Sequence, residues 1–582
     1  MNINNTRKVL SFIINMLNTT KSTVPLLEFQ EKKPIFTEKQ ETFFERVSPE
    51  VCGISSKYVE NFIQELLKNK NVALQSIMLM KDNKVFFEGD VDFSYSHLPK
   101  ATFSECKSIV SLAIGALVTH GRLRLNEKIV DIFGNRINSV SKLRLKSLTV
   151  RHLLTMTSCI TFNEIEAMTT NDWVAEFLNS DTDGIFGGKF KYNSLNTYLL
   201  SAIVIERSGM SLCEYLDSTI FGALKITDYY WEKCPNGIEK GGWGLYIRRE
   251  DLAKIGILVM QQGVWNDRRL ISKRYIEDAT RCQIETPTEY GDYNYGFQFW
   301  VGKTHNIFLL NGMFGQNLLG FRDSNILIIA NCGNADLFQK NDFFEICHRY
   351  FGADFCEDFQ EIENFNQTEK SFLLKQHGIE SFLDNKKAER CFENDLLSID
   401  GKHFIFNSKN AVSAGFAPLF LQIIQANFTK GLLSVAFSKN DQLLDIEFEE
   451  HDETHRITVG FEKPEKNTVV IHGEPFIVIA QGEFCVNEDG IPVLKVECRF
   501  VETPFTRSFK FFFEKGCYHA LLSESPGMEI SHKPQIFLGL LEESGEKIEN
   551  LFDKFDGDYL GLKLENAFAP RLTMIEQKDL AL

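Results

Sequence analysis

The chain reads as an α+β domain, an antiparallel sheet flanked by helices with an all-helical insertion, followed by an antiparallel β-barrel or sandwich. Three observations predict this. Its 582 residues exceed what one hydrophobic core organises, so two or more domains are expected. Strand-like apolar runs occur early and return between about 295 and 331, with helical spacing between them. From about 395 onward the apolar period changes to two. The expected divisions are a loosely attached N-terminal leader over 1–45, the α+β domain over 46–357, a polar, helical connector over 358–394 and the β-rich domain over 395–582.

The elements follow in order. Ser56 to Lys68 carries Tyr58, Phe62, Leu66 and Leu67 at helical spacing. Leu74 to Met80 and Val85 to Glu88 are apolar runs around the polar tetrad Lys81-Asp82-Asn83-Lys84, the pattern of a hairpin. Ser108 to Val118 is apolar nearly all round, which predicts a buried helix, and helices dominate to about Met260. Strands are expected at Tyr295–Trp300, Asn306–Leu310, Gln316–Phe321 and Ile326–Asn331, then a helix at Asp342–Tyr350. A sheet built from both ends of a segment brings those ends together. Further on, Leu443–Phe448, Arg456–Phe461, Thr468–Ile471 and Ser508–Phe513 alternate as antiparallel strands do.

Composition narrows the class. Hydrophobic content of 43% and charged content of 24% are those of a globular protein. A net charge of −16 argues against nucleic acid or an anionic membrane as the main partner. The 13 cysteines form no C-x-x-C pair and many lie in apolar runs, as reduced cytosolic cysteines do. Arg7-Lys8 before Val9–Leu17 resembles a short signal-peptide core, but Ser11 and Asn15 interrupt it and no small-x-small cleavage site follows. No run of eighteen apolar residues is present, so no membrane span is expected and the location expected is cytoplasmic.

Ser104-Glu105-Cys106-Lys107 places a hydroxyl and an amine one helical turn apart, the minimum for making an alcohol nucleophilic. The buried helix after it would hold the pair rigidly, at the positive end of the helix dipole. Ser139–Lys142 and Ser544–Lys547 repeat the spacing in polar surroundings. Tyr192, in the loop before an apolar helix, can carry a phenol into a cleft and relay a proton beside an ammonium; alone, it reads as a packed tyrosine. Leu310-Asn311-Gly312-Met313 ends one strand and leads into the next. Glycine there permits close approach, and the Met313 amide, with that of Ser104, can donate to an oxyanion; alone, it reads as a β-turn.

In this order and spacing the three elements resemble the serine β-lactamase and penicillin-binding-protein superfamily, most of all its class-C-like branch of esterases, D-aminopeptidases and nylon-oligomer hydrolases. The resemblance spans roughly 50–350. S-x-x-K is Ser104 and Lys107, and Y-x-N is Tyr192-Asn193-Ser194. Gly121–Asn126, Leu148–Ser158 (with His152 in a packing helix), Gly241–Leu245 with Asp251–Ala253, and Tyr295–Trp300 resemble the family's other landmarks. The resemblance implies Ser104 as acylating nucleophile, Lys107 as general base, Tyr192 as proton relay, and the Ser104 and Met313 amides as oxyanion hole. It implies no metal and no cofactor. Two departures bear on substrate. Ser194 replaces the motif's asparagine and presents no amide. Leu310-Asn311-Gly312 lacks the usual cation of K/H-T-G, whichever of Leu310 and Asn311 occupies its place. A small ester or amide without that carboxylate is therefore the expected substrate. The competing class is a non-catalytic protein of the same fold that binds a ligand or partner. Work on β-lactams or D-Ala peptides ranks below both, and peptidoglycan processing would require export.

Other signals carry less. No G-x-S-x-G occurs. His451–His455 looks superficially like a zinc helix but has its Glu one place late, and it reads as a hairpin turn. Cys106 points off another face and reads as buried. Cys159, where the resemblance has glycine, reads as structural. The β-rich domain suggests a packing role, an apolar ligand, a cover for the site mouth or a homo-oligomer contact.

Overall fold

The computed structural model describes residues 32–38, 42–91, 97–335, 341–352, 355, 396, 398–407, 412–527 and 557–577. The chain forms two compact units, one built on 36–385 and the other on 2–35 together with 386–582.

In the first unit, α1 (Ser56–Lys68) precedes the hairpin β1 (Leu74–Lys81) and β2 (Lys84–Asp90). Asp82 and Asn83 both take positive φ (50° and 63°), the backbone of the two-residue turn that matches strand twist. Next come β3 (Lys100–Ala101), α2 (Cys106–Thr119), α3 (Val150–Leu154), α4 (Glu164–Ala167) and α5 (Ser194–Ser208). They are followed by β4 (Tyr229–Trp231), β5 (Leu245–Ile247) and α6 (Arg249–Met260). The unit ends with β6 (Tyr293–Tyr295), β7 (Trp300–Gly302), β8 (Ile307–Gly312), β9 (Gln316–Phe321), β10 (Ile326–Cys332) and α7 (Asp342–Phe351).

The main sheet is antiparallel in the order β2-β1-β10-β9-β8-β7-β6, so the early hairpin pairs with the last strand and the ends of the domain meet as expected. One face packs on α1 and α7 through Phe62, Ile63, Leu66, Phe343 and Cys347 against Ile77, Leu79, Leu319, Ile328 and Ala330. Helix α6 packs on β9 and β10. Strands covered on both faces read as continuous apolar runs, and that is how β9 and β10 read.

Two expectations are corrected. The stretch expected to be dominated by helices, Ser104 to about Met260, also holds the three-residue strands β4 and β5, which pair with the earlier β3 in a small sheet. The strand expected at Tyr295–Trp300 is the end of β6, a tight turn and the start of β7. Gly296 N donates to Phe299 O at 2.8 Å, and Gln298 takes φ 61°. The run misleads because Phe297, Phe299 and Trp300 are all core residues, buried from a turn.

The second unit is a nearly closed ten-stranded antiparallel barrel. Its strands are β11 (His403–Phe406), β12 (Leu432–Asn440), β13 (Leu443–Glu450), β14 (Thr454–Val459), β15 (Glu465–Ile471), β16 (Glu474–Val486), β17 (Pro492–Phe500), β18 (Thr506–Phe512), β19 (His519–Ser525) and β20 (Arg571–Glu576). Their order is β14-β13-β12-β11-β20-β19-β18-β17-β16-β15. At the seam between β14 and β15, the Asn467 side chain accepts from Thr458 N (2.8 Å) and donates to Thr458 O (2.9 Å), standing in for a strand pair. Phe404, Phe437, Phe448, Phe509 and Phe511 fill the interior. His451–Glu453 is the turn between β13 and β14, and His455 is a buried strand residue. The connector expected at 358–394 and the leader through 31 lie outside the described residues.

Lys33, within the expected leader, is fully buried in this unit. Its ammonium donates to Pro475 O, pairs with Glu502 at 3.2 Å and lies over the Phe476 ring. Removing one member of a buried pair leaves the other charged and dry. Lys33→Ala is therefore expected to destabilise the barrel unit by about 3–5 kcal/mol. Far-UV circular dichroism in urea measures this. The double variant Lys33→Met with Glu502→Leu should recover most of the loss, and a single variant as stable as wild type would contradict the pairing.

Candidate active site

Ser104 sits in the 3-10 turn Phe103–Glu105, which runs directly into α2. The turn is anchored on β5, because Thr102 donates both its N–H and its hydroxyl to Leu245 O, each at 2.9 Å. Phe103 takes φ 47°, a strained backbone for an aromatic residue, which aims the next residue, Ser104, off the end of the helix. Helix α2 is buried through its first twelve residues, which explains its lack of a polar face.

Lys107 is 1% exposed. Its Nζ lies 2.8 Å from Ser104 Oγ and donates to Gly242 O at 2.6 Å. The same Nζ stands 5.0 Å from the centre of the Tyr192 ring, which stacks on Trp300. Ser104, Lys107 and Tyr192 are thus brought together from three separate elements.

The turn expected to carry the oxyanion site meets the nucleophile turn directly. Gly312 closes β8 where a Cβ would fall 2.2 Å from Thr102 O, so no other residue permits this approach. Met313 follows in the turn Met313–Gly315, and Phe314 takes φ 62°. The Phe103 and Phe314 rings meet edge to face at 5.5 Å. The two amides expected to face an oxyanion, those of Ser104 and Met313, therefore each adjoin a positive-φ phenylalanine, and the two phenylalanines pack on one another. Leu310 is fully buried, and Asn311 is largely buried opposite Asn317; neither brings a charge.

Ser194 is the first residue of α5, and its N–H donates to Glu164 Oε1 at 2.7 Å. Asn193 caps the helix, accepting from Leu195 N, and turns its amide N–H away to Ile160 O and Phe162 O. The only amide in Tyr192-Asn193-Ser194 is thus committed to structure.

Two residues at the site escape the sequence reading. Gly242 lies in the glycine-rich Gly241–Gly244 segment, and a Cβ on it would fall 2.8 Å from Ser194 Cβ. That closeness lets its carbonyl reach Lys107. The glycines are visible in sequence, but a carbonyl's direction is not. Glu105 is 1% exposed, and neither carboxylate oxygen has a hydrogen-bond partner among the described residues. Burial pushes its carboxyl well above the ordinary range.

The remaining signals resolve simply. Cys106 Sγ lies within hydrogen-bonding reach of both Phe103 O and Gly241 O, and burial pushes its thiol up to about 12. His152 caps its own short helix through Thr149, and burial with neighbouring Arg151 lowers its pKa. Cys159 is buried. Lys142 is exposed, and Ser544–Lys547 lies outside the described residues. Among the described residues, no group of three or more His, Cys, Asp or Glu could hold a metal ion, and no helix is long and apolar enough to cross a membrane.

A seven-stranded antiparallel sheet with a buried Ser-x-x-Lys helix beside it has the architecture of the penicillin-recognising fold. Residues 61–334 match the family model described as Beta-lactamase, and this part of the chain belongs to the serine β-lactamase and penicillin-binding-protein superfamily. Similar solved structures include a Bacillus anthracis protein designated a 6-aminohexanoate-dimer hydrolase (16% identity, 55% of this chain and 89% of that one, TM-score 0.44). A penicillin-binding protein from Bacillus halodurans is 16% identical over 50% of this chain and 97% of its own, with TM-score 0.39. An octameric penicillin-binding-protein homologue from Pyrococcus abyssi is 17% identical over 77% and 98%, with TM-score 0.40. No curated protein matches the sequence.

Glu105 yields a pH prediction. A carboxyl raised in the fold contributes stability that is fully present below its unfolded pKa, near 4.5, and lost as pH rises toward the folded value. Glu105→Gln cannot ionise. Its melting temperature relative to wild type should therefore rise from pH 5 to pH 9, by at least about 2 °C. A constant difference across that range would show that Glu105 ionises freely.

Proposed function

We propose that the first unit is a serine hydrolase that cleaves a small ester or amide through an acyl-enzyme on Ser104. The observation that carries this reading is the buried Lys107 amine, 2.8 Å from Ser104 Oγ with Gly242 O as its second contact. A neutral lysine can donate one N–H to Gly242 O and keep its lone pair for the serine hydroxyl, as a general base must.

In this mechanism Lys107 takes the Ser104 proton as Oγ bonds to the substrate carbonyl carbon. The Ser104 and Met313 amides hold the oxyanion. Tyr192 passes a proton to the leaving alcohol or amine as its bond to carbon breaks. In deacylation Tyr192, left as phenolate, takes a proton from water as the water oxygen bonds to the acyl carbon; the acyl–Oγ bond then breaks, Lys107 returns its proton to Ser104 Oγ, and the acid leaves. The uncharged Leu310-Asn311-Gly312 edge favours substrates without a carboxylate at that position.

A fluorophosphonate probe tests the nucleophile. It should label the folded wild type and fail on Ser104→Ala, while Lys107→Met should label about 10³-fold more slowly. Labelling that survives Ser104→Ala, or no labelling of folded wild type, would leave the non-catalytic binding protein as the reading. Turnover of a p-nitrophenyl ester series tests the oxyanion turn. Gly312→Ala, whose added methyl meets Thr102 O, should lose about 10²–10³-fold in kcat while labelling persists. Unchanged kcat would remove Met313 from the mechanism.

A further inference from the structure

Lys107 meets the Ser104 hydroxyl, the Gly242 carbonyl and the ring of Tyr192. One buried residue is tied to the elements that carry all three. Gln298, 2% exposed, sits in the turn between β6 and β7. Its carbonyl accepts from Ser108 Oγ at 2.5 Å, and Ser108 follows Lys107 directly on α2. Its side-chain Oε1 accepts from Thr197 Oγ1 at 2.6 Å, in the first turn of α5. The glycine segment rests on that same turn. A Cβ on Gly241 would fall 2.9 Å from Thr197 O, and one on Gly242 would fall 2.7 Å from Ser194 O. Two residues after Gln298, Trp300 stacks on Tyr192. The other groups of Gln298 fix the residue itself at the end of α3. Its Nε2 donates to Leu153 O and Leu154 O at 2.9 and 3.1 Å, and its backbone N–H donates to Leu154 O at 3.0 Å.

The backbone at Gln298 is strained. Its φ of 61° lies in the left-handed region, which glycine enters freely and a residue with a long side chain does not. Filling space does not call for such a residue, since glycine would relieve the backbone and an apolar side chain would bring no polar atoms to satisfy. What glutamine adds is an amide that donates at one end and accepts at the other. Here that amide joins α3 to α5, while the carbonyl of the same residue takes hold of α2. Strain of this kind persists where the surroundings over-determine it, and it gathers at functional sites. The 2.8 Å contact between Lys107 Nζ and Ser104 Oγ depends on how α2 and the glycine segment lie together, and a shift of about 1 Å is enough to cost about 10²-fold in rate. We infer that Gln298 is a positioning residue for the nucleophile and its base, acting on them through Ser108 and Thr197.

This inference rests on the hydrolase reading, and its test keeps the two apart. The test leaves Gln298 in place and cuts one tie at a time. Thr197→Val and Ser108→Ala each remove a hydroxyl that donates to Gln298, and either decides alone should the other not fold. Both should slow fluorophosphonate labelling of Ser104 about tenfold and lower kcat on a p-nitrophenyl ester as much, with KM within about twofold of wild type. Thr197→Ser keeps the hydroxyl and should label within about twofold of wild type. Ser111→Ala is the control for stability. It removes a buried hydroxyl one turn further along α2, where Ser111 meets Tyr275 OH at 2.9 Å, and it should lower the melting temperature but label at the wild-type rate. A wild-type rate in either folded tie variant, a loss confined to KM, or rates that follow melting temperature alone across the four variants would overturn the inference, while labelling of Ser104 sustains the hydrolase. No labelling of folded wild type overturns both.

Discussion

The site depends on one buried amine. Lys107 has lost nearly all its water and in return has a serine hydroxyl, a backbone carbonyl and an aromatic face. Much of the surrounding architecture maintains this. Helix α2 is apolar on every side so that it can be buried whole, and the glycine-rich segment before β5 comes close enough to lend a carbonyl without adding a charge. Glu105, two residues away, is buried as well, and burial pushes its carboxyl well above the ordinary range.

Strain collects beside the amine. Two phenylalanines, Phe103 and Phe314, take positive φ on the two turns that flank Ser104, and such residues cost about 1–3 kcal/mol each. They are tolerated because each turn is held from outside. Thr102 is tied twice to Leu245, Gly312 lies against Thr102, and the phenylalanine rings fill each other's flank. Two amides on different turns have no rigidity of their own. Here it is borrowed from a sheet edge on one side and a buried helix on the other.

What the sequence makes legible follows from the range of the forces involved. Ser104 and Lys107 are three residues apart where a 3-10 turn runs into α2, so spacing alone puts them in reach. The hairpin at Asp82-Asn83 and the strands β8 to β10 are local patterns and were readable for the same reason. The turn at Gly296–Phe299 was not, because an aromatic run buried from a turn alternates as a strand does. Lys33 was not either: a lysine in a polar leader has no local sign of a partner 469 residues away. Nor were Gly242 and Glu164. A backbone carbonyl has no letter in the sequence, and one carboxylate among 79 acidic residues is distinguished only by the N–H it meets.

The same contrast explains why substrate is harder to read than chemistry. A nucleophile and its base must meet through contacts of about 3 Å, which tolerate few arrangements and leave a motif. Selectivity acts through charge at longer range, where one residue can be exchanged for another on a different loop with equal effect. A family pattern therefore records the missing cation at Leu310-Asn311, where the edge of β8 brings no charge on which a carboxylate would settle.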